Sequence, residues 1–225
     1  MLIPRLNIRA SYLLAPEHFA QLSQNASILE QDERGVKVMQ LENGNILKIF
    51  RVRHIFSLAR IYSYARQFCR NADRLKKIGI PTVEIVQLFH FEDSADTAVM
   101  YQPLPGKTLR QLNNAGELDQ ALIKEFGRFV ARLHQQGIYF RSLHFGNVVR
   151  TPEGQLGLID IADLKTKSYS LTVWHRVRNF RHLLRYREDW ATLSPTDRQT
   201  FLDSYFAVAA LPADTETELR SKLTF

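Results

Sequence analysis

The chain has 225 residues, of which 45% are hydrophobic and 24% charged, with a net charge of +7 and a pI near 9.6. Such a length supports one large domain or two small lobes with a real core, and the mixed composition predicts a soluble globular protein. The apolar runs are too short for a membrane span, and the lone Cys69 excludes an internal disulfide or a zinc cluster.

The first residues are interrupted by Pro4, Arg5, Arg9 and Pro16, which makes a poor signal peptide, and a reducing cytoplasm is the simplest expected home. The basic balance favours an anionic partner: a phosphate cofactor, a nucleic acid or a membrane face. A solvated basic surface is the plain alternative.

Residues 1–25 carry little pattern. Ile28 to Phe50 reads as a β-meander, with a hairpin turn at Glu42-Asn43-Gly44-Asn45 leading into Ile46-Leu47-Lys48-Ile49-Phe50. Lys48 alternates with Leu47 and Ile49, so it faces the other side of its strand. If that side is interior the ammonium needs an anionic partner; if the strand is an edge, it sits in water.

Ile55 to Ile78 reads as a basic amphipathic helix stopped by Gly79, with Ile55, Leu58, Tyr62, Ala65, Phe68, Ala72 and Leu75 at helical spacing. Thr82 to Phe91 and Thr97 to Tyr101 are two strands joined by an acidic turn. Gln102-Pro103-Leu104-Pro105-Gly106 is a stiff connector and the best internal boundary.

Glu117 to Gln136 is a clear amphipathic helix ended by Gly137. Val148-Val149 and Leu156 to Ile159 pair around the turn Thr151-Pro152-Glu153-Gly154. Val173 to Arg187 reads as a helix with Val173, Val177, Phe180 and Leu184 on one stripe and Arg176, Arg178, Arg181, Arg185 and Arg187 around it. Pro195 starts a last amphipathic helix.

The chemistry concentrates between Gly137 and Leu164. Phosphoryl transfer needs a lysine for the phosphates, hard oxygen ligands for magnesium and a group that aims the acceptor hydroxyl. Asn147 follows position 142 by five residues, the spacing of the signature H-R-D-x-x-x-x-N, and Arg141 also matches. Asp160 follows one hairpin later, after Leu158-Ile159, and Lys48 lies on a strand after a hairpin and before a helix.

Leu143-His144-Phe145-Gly146-Asn147, Leu158-Ile159-Asp160, Gly79-Ile80-Pro81-Thr82 and the Arg-rich segment Trp174 to Tyr186 resemble the bacterial lipopolysaccharide-core (Kdo and heptose) kinases and sequences labelled toluene-tolerance proteins. The resemblance runs from about Gly35 to Asp189. It implies an α+β, protein-kinase-like, two-lobe fold in one kinase-like domain: a small antiparallel β-rich N-lobe over 1–101, a hinge over 102–106 and a mainly helical C-lobe over 107–225.

It implies ATP and Mg2+ as cofactors, with Lys48 on the phosphates, backbone groups near Tyr101 and Gln102 on the adenine, and Asn147 and Asp160 on the metal. The implied acceptor is a sugar hydroxyl of the anionic lipopolysaccharide core, at the inner-membrane surface, with the enzyme cytoplasmic and peripheral. Arg176, Arg178, Arg181 and Arg185, with Arg187, are the candidate acceptor contacts.

Three departures shape the expectation. Ser142 stands where the family's loop carries its catalytic aspartate, and a serine has no useful basicity near neutral pH. Asp163 or His144 is a candidate deputy. No G-x-G-x-x-G loop exists; Gln31-Asp32-Glu33-Arg34-Gly35 occupies its place. The helix glutamate that should pair with Lys48 is absent, position 71 being Asn71 and the nearest acid Asp73.

These departures leave a pseudokinase, a binding module with weak or no catalysis, as the alternative. A basic nucleic-acid-binding protein would explain the charge but not Asn147 and Asp160 in register, and no nucleic-acid partner is expected.

Overall fold

The computed structural model describes residues 11–52 and 64–223. The chain divides into two compact units, Met1–Leu104 and Pro105–Phe225, the first β-rich and the second mainly helical, in keeping with the α+β class. The division falls inside the proline-rich connector.

In the first unit, β1 (Tyr12–Leu14), α1 (Pro16–Ser23), β2 (Ser27–Asp32), β3 (Gly35–Gln40), β4 (Ile46–Phe50), α2 (Tyr64–Lys77), β5 (Glu84–Phe91) and β6 (Thr97–Gln102) build a six-stranded sheet of order β1-β5-β6-β4-β3-β2. Only β1 runs parallel to its neighbour; the other pairs are antiparallel. Leu47 and Ile49 join Leu14, Met39, Leu41, Phe89 and Ala98 in a core that Phe19 and Leu22 of α1 cover. Full burial of each large apolar side chain stabilises by about 1.5–3 kcal/mol.

The alternation then turns Lys48 to the opposite face, shared with Phe50, where Phe68 of α2 packs at 5.9 Å. β4 is interior to the sheet, so the edge-strand reading of Lys48 does not hold. The basic helix is described from Tyr64 onward; Ile55, Leu58 and Tyr62 lie outside the described residues.

The second unit holds β7 (Lys107–Thr108), α3 (Leu109–Asn114), α4 (Gln120–Gln135), β8 (Ile138–Tyr139), β9 (Val148–Arg150), β10 (Leu156–Leu158), β11 (Lys165–Thr166), α5 (Val173–Leu184), α6 (Arg187–Ala191), α7 (Pro195–Ala209) and α8 (Ala213–Ser221). Asp119 caps α4 by accepting from Leu122 N at 2.7 Å. Gly137, at φ 74°, turns the chain out of α4, and a side chain there would lie 2.5 Å from Lys167 O.

α4 packs along α7, where Gly127 lets the backbones approach; a Cβ there would meet Phe201 O at 2.4 Å. Phe126, Phe145, Trp190 and Phe201 form a contiguous aromatic cluster with centroids 5.0–5.5 Å apart. The helix expected over Val173 to Arg187 is broken: α5 ends at Leu184, and Tyr186, with ψ 74°, caps α6 instead.

Candidate functional site

The segment from Phe140 to Asn147 crosses the second unit between β8 and β9 as a loop ending in one 3₁₀ turn, Phe145–Asn147. Its two ends are gripped by buried side chains from other elements.

At the start, Asn179 of α5 donates from Nδ2 to Phe140 O at 2.7 Å, and its Oδ1 lies 3.4 Å from Phe140 N. Behind it runs a buried chain. Arg176 Nη1 donates to Tyr205 OH at 2.7 Å, and Tyr205 OH lies 2.8 Å from His134 Nδ1. The Tyr205 proton therefore goes to Nδ1, so His134 carries its own proton on Nε2 and donates to Asn179 Oδ1 at 3.2 Å. Burial and the Arg176 charge lower the His134 pKa to about 3, and burial raises Tyr205 to about 12.

At the far end, Phe145 plugs the aromatic cluster while its N–H donates to Asp189 Oδ2 at 3.1 Å. Asp189 is 1% exposed and takes a bidentate pair from Arg110, Nε at 2.6 Å and Nη2 at 2.9 Å. Tyr186 lies over the same corner, its ring 4.2 Å from that of His144. His144 Nδ1 accepts from Gly146 N, and burial, then Arg110, lowers its pKa. It serves the turn and is occupied there.

Between the two grips sit the chemical groups. Asn147 is buried; its Nδ2 donates to Ser142 O at 2.9 Å, which fixes the amide and turns Oδ1 away as an acceptor. The hairpin pairs Val148 with Leu158, and Ile159 N donates to Asn147 O at 3.1 Å, so Asp160 emerges beside Asn147 at the hairpin's open end. Asp160 is exposed and holds a left-handed backbone, φ 51° and ψ 45°. For a non-glycine residue that conformation costs about 1–2 kcal/mol, and such strain clusters at functional sites.

Asn147 and Asp160 offer two hard oxygen donors, which fit magnesium, an ion that keeps several waters. Among the described residues no cluster of three or more His, Cys, Asp or Glu stands as an alternative metal centre.

Ser142 is half-buried, and its Oγ donates to Asp163 Oδ2 at 2.8 Å. Asp163 follows Asp160 through one 3₁₀ turn, Ile161–Asp163. Burial raises its pKa, against the Ser142 hydrogen bond and the Arg141 charge, which lower it. Its Oδ1 is enclosed with no hydrogen-bond partner among the described residues. An orphaned buried oxygen costs about 1–3 kcal/mol and asks for a functional account.

The arginines separate. Arg176 departs from the expected solvent face: it is 1% exposed, and its guanidinium is spent on Leu171 O, Tyr205 OH and Ser170 Oγ at 2.7–2.9 Å. It supports the loop from below and is not available to an acceptor. Arg178, Arg181, Arg185 and Arg187 are exposed, and Arg178 covers Trp174 at 5.1 Å.

In the first unit, Lys48 is buried, and its Nζ lies 5.8 Å from the Phe50 centroid. Tyr101 and Gln102 end β6, with the Tyr101 ring 5.3 Å from Phe68. Asp73 pairs with Lys77 on the surface at 3.1 Å, so it is not the missing helix acid. Asp32, in the would-be glycine loop, is held by Arg51 Nη1 at 3.0 Å.

Residues 101–205 match the model of the lipopolysaccharide kinase (Kdo/WaaP) family. The resemblance read from the loop and from Leu158-Ile159-Asp160 is thereby borne out. A comparison with curated proteins gives no match. Among solved structures, the bifunctional kinase-methyltransferase WbdD is similar at 18% identity and a TM-score of 0.45, over 79% of this chain and 45% of that one. The chain thus spans less than half of that protein's length. Among the described residues, no helix is long and apolar enough to cross a membrane.

Proposed function

We propose that this protein transfers the γ-phosphoryl group of ATP, with magnesium, to a sugar hydroxyl of the anionic lipopolysaccharide core. The carrying observation is the 2.8 Å hydrogen bond from Ser142 Oγ to Asp163 Oδ2. A serine alone cannot take a proton near neutral pH, but a serine that passes its own proton to a carboxylate can.

Magnesium-bound ATP supplies the phosphoryl group and the charge compensation on it. Ser142 Oγ accepts the proton of the acceptor hydroxyl as its own proton moves to Asp163 Oδ2. The acceptor oxygen gains its bond to phosphorus as ADP leaves. Asn147 Oδ1 and the Asp160 carboxylate are the proposed metal ligands, Lys48 the proposed phosphate lysine, and backbone groups at Tyr101 and Gln102 the proposed adenine contacts. The loose transition state relies mainly on positioning and charge, which suits a weak base well held.

A cytoplasmic protein working peripherally on the inner membrane is supported by Trp174, 61% exposed, with Arg178 over its ring. An amphipathic aromatic beside a cation suits an anionic lipid interface.

The test is transfer of label from γ-labelled ATP to core oligosaccharide. Ser142→Ala and Asp163→Asn should each lower kcat by about 100-fold, the lower range for proton transfer by a positioned group, while ATP binding by thermal shift is kept. The acid limb of the pH profile should lie above the ordinary carboxylate range and vanish in Asp163→Asn, because a protonated Asp163 cannot accept. Folded protein that binds ATP yet transfers nothing would establish the pseudokinase reading, which Ser142 in the aspartate's place favours.

A further inference from the structure

Within the second unit, a pocket of about 380 Å3 is lined by Arg181, Leu184, Arg185, Arg187, Lys222 and Leu223. Four of its six lining residues are cations and none is an acid. Lys222 is paired with Glu218, while Arg181, Arg185 and Arg187 make no ion pair with a described residue.

Ordinary helix electrostatics accounts for part of this set. Arg181 and Arg185 lie one turn apart at the C-terminal end of α5, where the helix dipole favours cations. Arg187 is the first residue of α6, where the dipole disfavours a cation, and Lys222 comes from a separate element, just after α8. Three elements therefore bring like charges to one concavity against their mutual repulsion, and an anion in the pocket relieves it.

We propose that this pocket binds a phosphate monoester carried by a small sugar. Guanidinium groups offer forked donors that match phosphate oxygens two at a time. The volume falls in the lower range of small-molecule sites, room for more than a bare ion. Leu184 and Leu223 give an apolar wall for the carbon face of a ring.

The pocket is also joined to the loop. Arg185 stacks over Tyr186 at 5.3 Å, and the Tyr186 ring lies 4.2 Å from that of His144. An anion that draws Arg185 inward acts on the ring that packs against His144 of the loop. The proposal deepens the phosphotransferase reading, because it makes the acceptor a sugar that already bears a phosphate. Binding is measured without nucleotide, so it stands or falls apart from transfer.

The experiment is calorimetric titration of the full chain with inorganic phosphate, with glucosamine 6-phosphate and with unphosphorylated glucosamine, alongside sedimentation with phosphatidylglycerol–phosphatidylcholine vesicles. Saturable one-site binding of the sugar phosphate, weakened at least tenfold in Arg181→Gln/Arg187→Gln and kept in the distant control Arg128→Gln, supports the proposal. These side chains are exposed, and an unchanged melting temperature verifies that the variants fold.

Equal affinity in the double variant and the control would overturn it. So would vesicle binding with no saturable sugar-phosphate isotherm, which would mark the patch as a lipid-surface contact. Failure of transfer alongside intact sugar-phosphate binding would sink the enzymatic reading and leave the pocket standing.

Discussion

Phe140 and Phe145 bound the same short loop, yet opposite chemistries hold them. Phe140 rests on Asn179, His134, Tyr205 and Arg176, a chain in which the only formal charge is a guanidinium sealed among neutral acceptors. Phe145 rests on Asp189, whose charge is met by a half-exposed Arg110 in bidentate geometry. The first grip depends on His134 staying neutral; the second is a bidentate ion pair. The loop that carries Ser142 and Asn147 is thus fixed by two supports of different chemistry, and each can be loosened alone by substitution.

Removing Arg176 should have the largest effect. Arg176→Ala leaves a void and strips donors from Leu171 O and Tyr205 OH, a loss of about 4 kcal/mol read from denaturant unfolding. Asp189→Asn should cost less, about 2–3 kcal/mol, since it exchanges charge-assisted hydrogen bonds for neutral ones and Arg110 can turn to solvent. If the Arg176 variant proves the milder of the two, the buried chain is not the stronger support.

Acidification should act on the Phe140 side through His134. The folded His134 pKa of about 3 lies below the unfolded value near 6.5, so the unfolded chain binds the extra proton between them. The contribution of this group is complete above pH 6.5 and is lost as pH falls toward 3, by up to about 1.4 kcal/mol per pH unit. Stability measured from pH 7 to 4 should fall less steeply in His134→Asn. An identical slope in the variant would assign the acid sensitivity to other groups.

The sequence was legible where chemistry is local. Asn43-Gly44 announces the hairpin before β4, Asp119 and Gly137 bracket α4, and alternation puts Lys48 opposite Leu47 and Ile49. It was opaque where partners are distant. Asp189 sits in Arg187-Glu188-Asp189-Trp190, where an acid in the first turn of a helix reads as a favourable end charge. Nothing local reveals that Arg110, 79 positions earlier, and the Phe145 amide share it.

Arg176 misleads by type, because an arginine beside an apolar stripe is normally solvated, and burial becomes visible only with α7 in place. β1 and α1 escaped because a three-residue strand has no period to read and its partner β5 lies more than 70 positions on. Asp163 was visible only as an acid three places past Asp160; its contact with Ser142 needed the turn between them.

The left-handed geometry at residue 160 sets local comfort against charge. Glycine would relax the backbone there most readily and would remove the carboxylate with it. On the proposed role of Asp160 as a metal ligand, backbone comfort and ligation therefore pull residue 160 in opposite directions. The chain carries the carboxylate in the awkward posture, and replacing it with glycine would separate the two demands.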